Sequence, residues 1–206
     1  MDGLGIQKAH IIGSSLGAEV GLSLAANHSD KVLSLVCDGA LSNEFGAYGT
    51  WEGTRAEFEA HVAGMLDRLR SVPDTVYPSV DALVERSRQS LEGTGWWNAD
   101  IEAMDRYDAR EAPGGYTKSF NRQLMAAYLE AYFQYRLEDY YPRVQCPLLL
   151  LPGADVFDNA LEKAAMEGLK ALAPHAQVAV VPGWEHPYSW LIDPEPACQA
   201  ILSFLQ

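Results

Sequence analysis

Residues 13–17 read Gly-Ser-Ser-Leu-Gly, a short polar turn between an isoleucine-rich stretch and a run of small residues. The pattern fits G-x-S-x-G, in which a serine sits on a sharp turn that joins a strand to a helix. Such a turn needs small residues on both sides of the serine, and the two glycines meet that need. Ser15 is then the candidate nucleophile and Ser14 the variable position. The backbone N–H of Leu16 would begin the helix, where it could stabilise a developing oxyanion.

A serine hydroxyl becomes a good nucleophile when a histidine takes its proton and a carboxylate orients that histidine. His186 is the preferred base, because it lies on a loop that follows a predicted strand. Loops at the carboxyl ends of parallel strands are where active sites form. Packing, a helix end or a surface position explains the other four histidines, which are His10, His28, His61 and His175.

Three carboxylates compete for the orienting role. Asp155 directly follows a predicted strand, one strand–helix unit before His186, and is the preferred acid. Asp158 is the alternative acid, three residues further on. Asp38, at the end of an earlier predicted strand, is the third candidate. With the preferred acid, the order along the chain is Ser, Asp, His.

The segments around these residues alternate between strand-like and helix-like patterns. A strand, a helix and a second strand within the first forty residues form a βαβ unit, which implies a parallel sheet. The same pattern resumes after residue 146. The predicted strands are residues 9–13, 31–38, 147–152 and 176–181, and the predicted helices are residues 17–27, 160–172 and 196–205. The fold class is therefore α/β, with a partial parallel sheet of four strands.

Residues 41–141 have a different character. Helical periodicity extends over residues 56–69, 80–91 and 122–137, and no segment resembles a strand buried on both faces. We interpret this region as a helical cap or lid insertion into a core formed by residues 1–40 and 142–206. Its many aromatic side chains favour an apolar substrate.

Composition excludes several classes of protein. The net charge of −13 over 206 residues would repel nucleic acid and anionic membranes. The start of the sequence has no signal-peptide pattern. The three cysteines are far apart and are expected to be free thiols: Cys37, Cys146 and Cys198. We therefore predict a cytoplasmic protein with no cofactor and no metal.

The sequence resembles the C-terminal two thirds of an α/β-hydrolase-fold protein. Residues 8–40 are similar to that family's nucleophile strand, turn, helix and next strand, residues 146–155 to its acid strand, and residues 178–190 to its histidine loop. The insertion falls where the family carries its cap.

The resemblance implies a serine hydrolase that acts on a carboxylic ester or related acyl substrate. Ser15 would be the nucleophile, and His186 the general base and then the general acid. Asp155 would orient His186, and the Leu16 N–H would be one oxyanion donor. Within the family the same triad also serves carbon–carbon bond hydrolysis and amide cleavage.

Family members normally carry several strands before the nucleophile turn, and a loop after one of them supplies a second oxyanion N–H. These features are missing ahead of residues 9–13, so that strand is expected to expose an apolar edge on which a second copy could pair. The alternative function is therefore a weak or inactive truncated hydrolase chain. Such a chain would act as a binding module or need another chain to complete its sheet.

Overall fold

A computed structural model describes residues 1–184, 186 and 188–206 and divides the chain into two compact units. One unit comprises Met1–Gly53 and Tyr135–Gln206, and the other comprises Thr54–Gln134. Residues 41–53 and 135–141, which the sequence assigns to the insertion, thus lie in the first unit. They do so because side chains such as Leu137 and Tyr141 are buried in its hydrophobic core.

The strands of the described residues are, in chain order, β1 (Ala9–Ser14), β2 (Val32–Asp38), β3 (Ala109–Ala112), β4 (Gly115–Lys118), β5 (Leu148–Leu150) and β6 (Ala176–Val178). In the first unit β1, β2, β5 and β6 form a parallel sheet in that order. The predicted α/β class with a four-stranded parallel sheet is confirmed. β5 and β6 are shorter than the sequence predicts. For β5 the reason is that the prolines at 147 and 152 flank its paired part.

Burial along the strands follows their place in the sheet. β2, which has a neighbour on each side, is buried at all but one of its positions. β1 lies at one edge of the described sheet, and its residue Ile12 is 53% exposed. An exposed apolar edge was expected for this strand; pairing with a second copy stays a prediction.

The helices are, in chain order, α1 (Leu16–Asn27), α2 (Arg55–Ser71), α3 (Val80–Ser90), α4 (Ala99–Asp108), α5 (Arg122–Tyr132), α6 (Ala154–Asp158), α7 (Ala160–Lys170), α8 (Ser189–Ile192) and α9 (Glu195–Phe204). Of these, α1, α6, α7, α8 and α9 belong to the unit with the sheet. None of the helices within the described ranges is long and apolar enough to cross a membrane.

The second unit consists of α2 to α5 and the antiparallel β3–β4 hairpin. Each helix begins at a side chain that accepts a hydrogen bond from a backbone N–H of its first turn: Thr54, Ser79, Asn98 and Asn121. Neither α4 nor the hairpin was predicted from the sequence. The hairpin strands are four residues long and lie half-exposed, so they lack the apolar run that marks a buried strand.

Candidate active site

Ser15 stands alone between the end of β1 and the start of α1. Its backbone has φ 51° and ψ −128°, a combination that residues other than glycine rarely adopt. A Cβ atom on Gly13 would lie 2.2 Å from the Gly17 carbonyl oxygen, whereas a Cβ on Gly17 would meet nothing within 4 Å. The turn therefore requires glycine at position 13, and Ser15 itself is exposed.

The backbone N–H of Leu16 is the first of α1. The first N–H groups of a helix have no acceptor within the helix and carry the positive end of its dipole. This N–H adjoins Ser15 in the chain. It can thus donate to an oxygen that becomes negative when the Ser15 hydroxyl attacks a carbonyl.

Asp38 ends β2 beside this turn. Ser14 is opposite Asp38 in the parallel register of β1 and β2, and the Ser15 N–H donates to the Asp38 carbonyl oxygen over 2.6 Å. The Asp38 residue is only 2% exposed. Strand pairing therefore brings a buried carboxylate next to Ser15.

His186 contacts this carboxylate. Its Nδ1 lies 3.0 Å from Asp38 Oδ1. An ionised carboxylate only accepts hydrogen bonds, so Nδ1 carries the hydrogen and the Nε2 lone pair is left to take a proton. The His186 side chain is 39% exposed, which leaves the ring accessible to a substrate. This tautomer is the one that a general base needs.

This contact places His186 against Asp38, the third candidate acid, and not against Asp155, the preferred one. Asp155 lies in the first turn of α6 and is exposed, and none of the described residues donates a hydrogen bond to its carboxylate. Asp158, the alternative acid, ends the same helix and is also exposed. Asp38 was only the third candidate from the sequence. The chain order Ser, Asp, His fits all three carboxylates, so it could not single out Asp38.

The interaction between Asp38 and His186 shifts both pKa values. Burial opposes ionisation of Asp38, but the hydrogen bonds from His186 and from two tryptophans outweigh it, so the Asp38 pKa is lowered. The hydrogen bond to Asp38 raises the His186 pKa against the opposing effect of burial, and the charges of Asp38 and Asp155 raise it further. The geometry and the charges together favour an ionised acid paired with a basic imidazole.

Sequence reasoning missed three further side chains that contact Asp38. Trp184 Nε1 donates to Oδ1 over 3.2 Å, while Trp190 Nε1 and Ser14 Oγ donate to Oδ2 over 2.6 Å and 2.9 Å. The sequence did contain a hint of the two tryptophan contacts. Both tryptophans lie within four residues of His186, and a buried tryptophan N–H needs a hydrogen-bond acceptor nearby.

Across the described ranges, no group of three or more histidine, cysteine, aspartate or glutamate side chains could hold a metal ion. The carboxylate at the centre of the site accepts hydrogen bonds from Ser14, Trp184, His186 and Trp190. The arrangement is thus suited to proton transfer through an oriented imidazole.

Comparison with known proteins agrees with this architecture. A family model described as "alpha/beta hydrolase fold" matches residues 1–191. The "Putative carbamate hydrolase RutD" of Caulobacter sp. (strain K31) is 25% identical over 209 residues, which cover all of this chain and 68% of that protein. The protein of the same name from Stutzerimonas stutzeri (strain A1501) is 27% identical over 205 residues, which cover 100% of this chain and 69% of that protein.

Solved structures share the fold. E-2-(acetamidomethylene)succinate hydrolase aligns with a TM-score of 0.69 at 21% identity, covering 99% of this chain and 69% of that one. The enol-lactonase from Burkholderia xenovorans LB400 aligns with a TM-score of 0.60 at 20% identity, covering 100% and 68%. The chain belongs to the α/β-hydrolase fold family and is an enzyme of the hydrolase type.

Proposed function

We propose that the chain is a serine hydrolase that cleaves a carboxylic ester or a related acyl bond through Ser15, His186 and Asp38. The observation that carries the proposal is the hydrogen bond between His186 Nδ1 and Asp38 Oδ1, which leaves Nε2 as a base. Asp38 thus replaces Asp155 as the orienting acid. The exposed, strained Ser15 at the head of α1 supports its role as the nucleophile.

In the first half-reaction the Ser15 Oγ attacks the substrate carbonyl carbon, and His186 Nε2 takes the hydroxyl proton. The carbonyl oxygen becomes negative, and the Leu16 N–H stabilises it. When the tetrahedral intermediate collapses, His186 returns the proton to the leaving group and an acyl-enzyme remains. Water then repeats the sequence, which releases the acid and restores the Ser15 hydroxyl.

The proposed mechanism is compatible with more than one class of acyl bond. Two relatives are named for carbamate hydrolysis, and one structural neighbour is named as an enol-lactonase. A carbamate, a lactone and an open-chain ester all present an acyl carbonyl that the same mechanism can attack. Turnover of p-nitrophenyl esters, an N-alkyl carbamate and a simple lactone, compared at equal concentrations, ranks the three classes.

The aromatic side chains of the second unit give no support to an apolar substrate. Phe58 packs edge-on against Phe133, and Phe120 packs edge-on against Tyr128. These contacts give the rings a role in packing within that unit. The apolar substrate, like the cytoplasmic location, stays a prediction.

The decisive test is Ser15→Ala. Labelling by a fluorophosphonate probe should disappear, and turnover of a p-nitrophenyl ester should fall by about 10⁶-fold, to the background rate, as for removal of other triad serines. Ser34→Ala is the matched control, because Ser34 is a buried serine on β2 that bonds to His10 instead of Asp38. Full labelling and turnover in Ser15→Ala would refute the proposed nucleophile. A folded wild-type protein that neither labels nor turns over would favour the binding-module alternative.

A further inference from the structure

The Asp38 carboxylate has a full set of hydrogen-bond donors. Oδ1 accepts from His186 and Trp184, and Oδ2 accepts from Trp190 and Ser14. A carboxylate offers about four lone-pair sites, so every site is taken. Only one of the four donors is the imidazole that the proposed reaction uses; the other three are neutral groups that take no part in proton transfer.

The three neutral donors are held in place by the fold. Trp184 is 3% exposed and packs in the apolar cluster on one side of the sheet, with the Trp190 ring edge-on at 5.0 Å between ring centroids. Ser14 is fixed by the register of β1 against β2, which sets it opposite Asp38. Because these donors are already ordered, they restrict rotation of the carboxylate without a further loss of side-chain entropy.

The two indoles also bracket the histidine in the sequence. Trp184 precedes His186 by two residues and Trp190 follows it by four. Both of their N–H groups reach the same carboxylate that His186 reaches. Asp38 therefore contacts one residue before the histidine and one residue after it, as well as the histidine itself. This arrangement differs from one in which each indole finds its own acceptor elsewhere, which would satisfy the N–H groups but would not fix His186.

We infer that Ser14, Trp184 and Trp190 are positioning residues that hold the Asp38 carboxylate, and through it the His186 ring, in one geometry, so that His186 Nε2 is presented to Ser15. The inference rests on the proposed function, since it assigns these residues to the same triad. None of the three touches the reacting atoms in this assignment. They act through Asp38 and His186.

Trp190→Phe tests the inference, because it keeps an aromatic ring and removes the N–H that lies 2.6 Å from Oδ2. We expect kcat to fall at least about tenfold with KM unchanged, as for the loss of one hydrogen bond to a charged group. The freed charge on Asp38 should also make His186 titrate at a higher pH, which NMR of the ring measures without turnover. Asp155 is the other charged group that acts on His186, and it is unchanged in this variant.

Ser14→Ala is a second variant that covers the case in which Trp190→Phe does not fold. It removes one donor to Oδ2 with little change in volume, and Ser34→Ala again controls for loss of a buried serine hydroxyl on the same sheet. We expect a smaller loss of kcat and a shift of His186 titration in the same direction.

Wild-type kcat and an unshifted His186 titration in folded Trp190→Phe and Ser14→Ala would overturn the inference. That outcome is distinct from failure of the proposed function, which Ser15→Ala reports, because the NMR titration of His186 needs no catalysis. A loss of kcat equal to that in Ser34→Ala would likewise overturn it, because the effect would then be one of general packing.

Discussion

Two carboxylates near the carboxyl ends of the neighbouring strands β2 and β5 have opposite surroundings. Asp38 at the end of β2 is 2% exposed and accepts four hydrogen bonds. Asp155, just beyond β5, is exposed and receives no hydrogen bond from a described residue. Both follow a buried apolar strand in the sequence, so their residue type and position cannot separate them. The difference shows that the surroundings of a carboxylate, and not its residue type or its place after a strand, decide whether it holds a histidine.

Burial explains why the donors gather at only one of these ends. An ionised carboxylate is costly to bury unless it is hydrogen-bonded, whereas an exposed one is satisfied by water. Asp38 lies beside the pairing of β1 with β2, where His186 and the indoles replace the solvent. Asp155 lies on a short helix and needs no such partners. Only the first arrangement holds a histidine in a fixed orientation.

The largest expected difference between Asp38 and Asp155 appears when each carboxylate is neutralised in turn. Asp38→Asn should lower kcat/KM by about 10⁴-fold, as for the loss of a triad carboxylate, because the amide NH2 can donate to Nδ1 and so favour the tautomer in which Nε2 carries the hydrogen. Asp155→Asn should change kcat/KM by no more than a few-fold. Ester turnover at saturating and limiting substrate measures both. A larger loss in Asp155→Asn than in Asp38→Asn would restore the original assignment from the sequence.

The turn between β1 and α1 is crowded at Gly13, so a larger side chain there should destabilise the folded protein. Gly13→Ala should lower the free energy of unfolding by about 1–3 kcal/mol, since its Cβ would lie 2.2 Å from the Gly17 carbonyl oxygen and the turn would have to shift. Gly17→Ala is the matched control and should be neutral or slightly stabilising, because its Cβ meets nothing within 4 Å. Urea unfolding followed by circular dichroism measures both. An equal free energy of unfolding for Gly13→Ala and Gly17→Ala would show that the turn is not crowded at Gly13.

The smallest expected effect is on the pH profile. In the proposed mechanism neutral His186 is the active form, so kcat/KM should fall as the pH drops through the His186 pKa, which lies above the ordinary value of about 6.5. The charge of Asp155 contributes to that rise, so Asp155→Asn should move the acid limb to lower pH by less than one unit. The pH dependence of kcat/KM measures the limb, with Asp158→Asn as the control. An unmoved limb in Asp155→Asn would show that Asp155 has no electrostatic influence on the site.

The fold was predictable because its central strands are continuous apolar runs separated by helical patterns. Residues 31–38 and 147–152 have this form, and β2 and β5 lie within them. The sharp turn at residues 13–17 between β1 and α1 was also predictable, since its two glycines and two serines lie within five residues. The hairpin of the second unit was not, because its short, half-exposed strands carry no such run.

The choice of acid could not be made from the sequence. It depends on a contact between residues 148 positions apart and on the register that sets Ser14 opposite Asp38. Neither is encoded in a local pattern. The pair of tryptophans around His186 was the one available hint, because two indole N–H groups that close to the base required an acceptor nearby.

The separation of these contacts along the chain also orders the assembly of the site. Ser14 and Asp38 are 24 residues apart, so closing the loop between them is entropically easier than bringing in His186 from 148 residues away. During synthesis the N-terminal part is made first. Under the proposed mechanism, a growing chain therefore contains the nucleophile Ser15 and the carboxylate of Asp38 long before it contains the base, and it becomes able to cleave an acyl bond only when His186 has joined them.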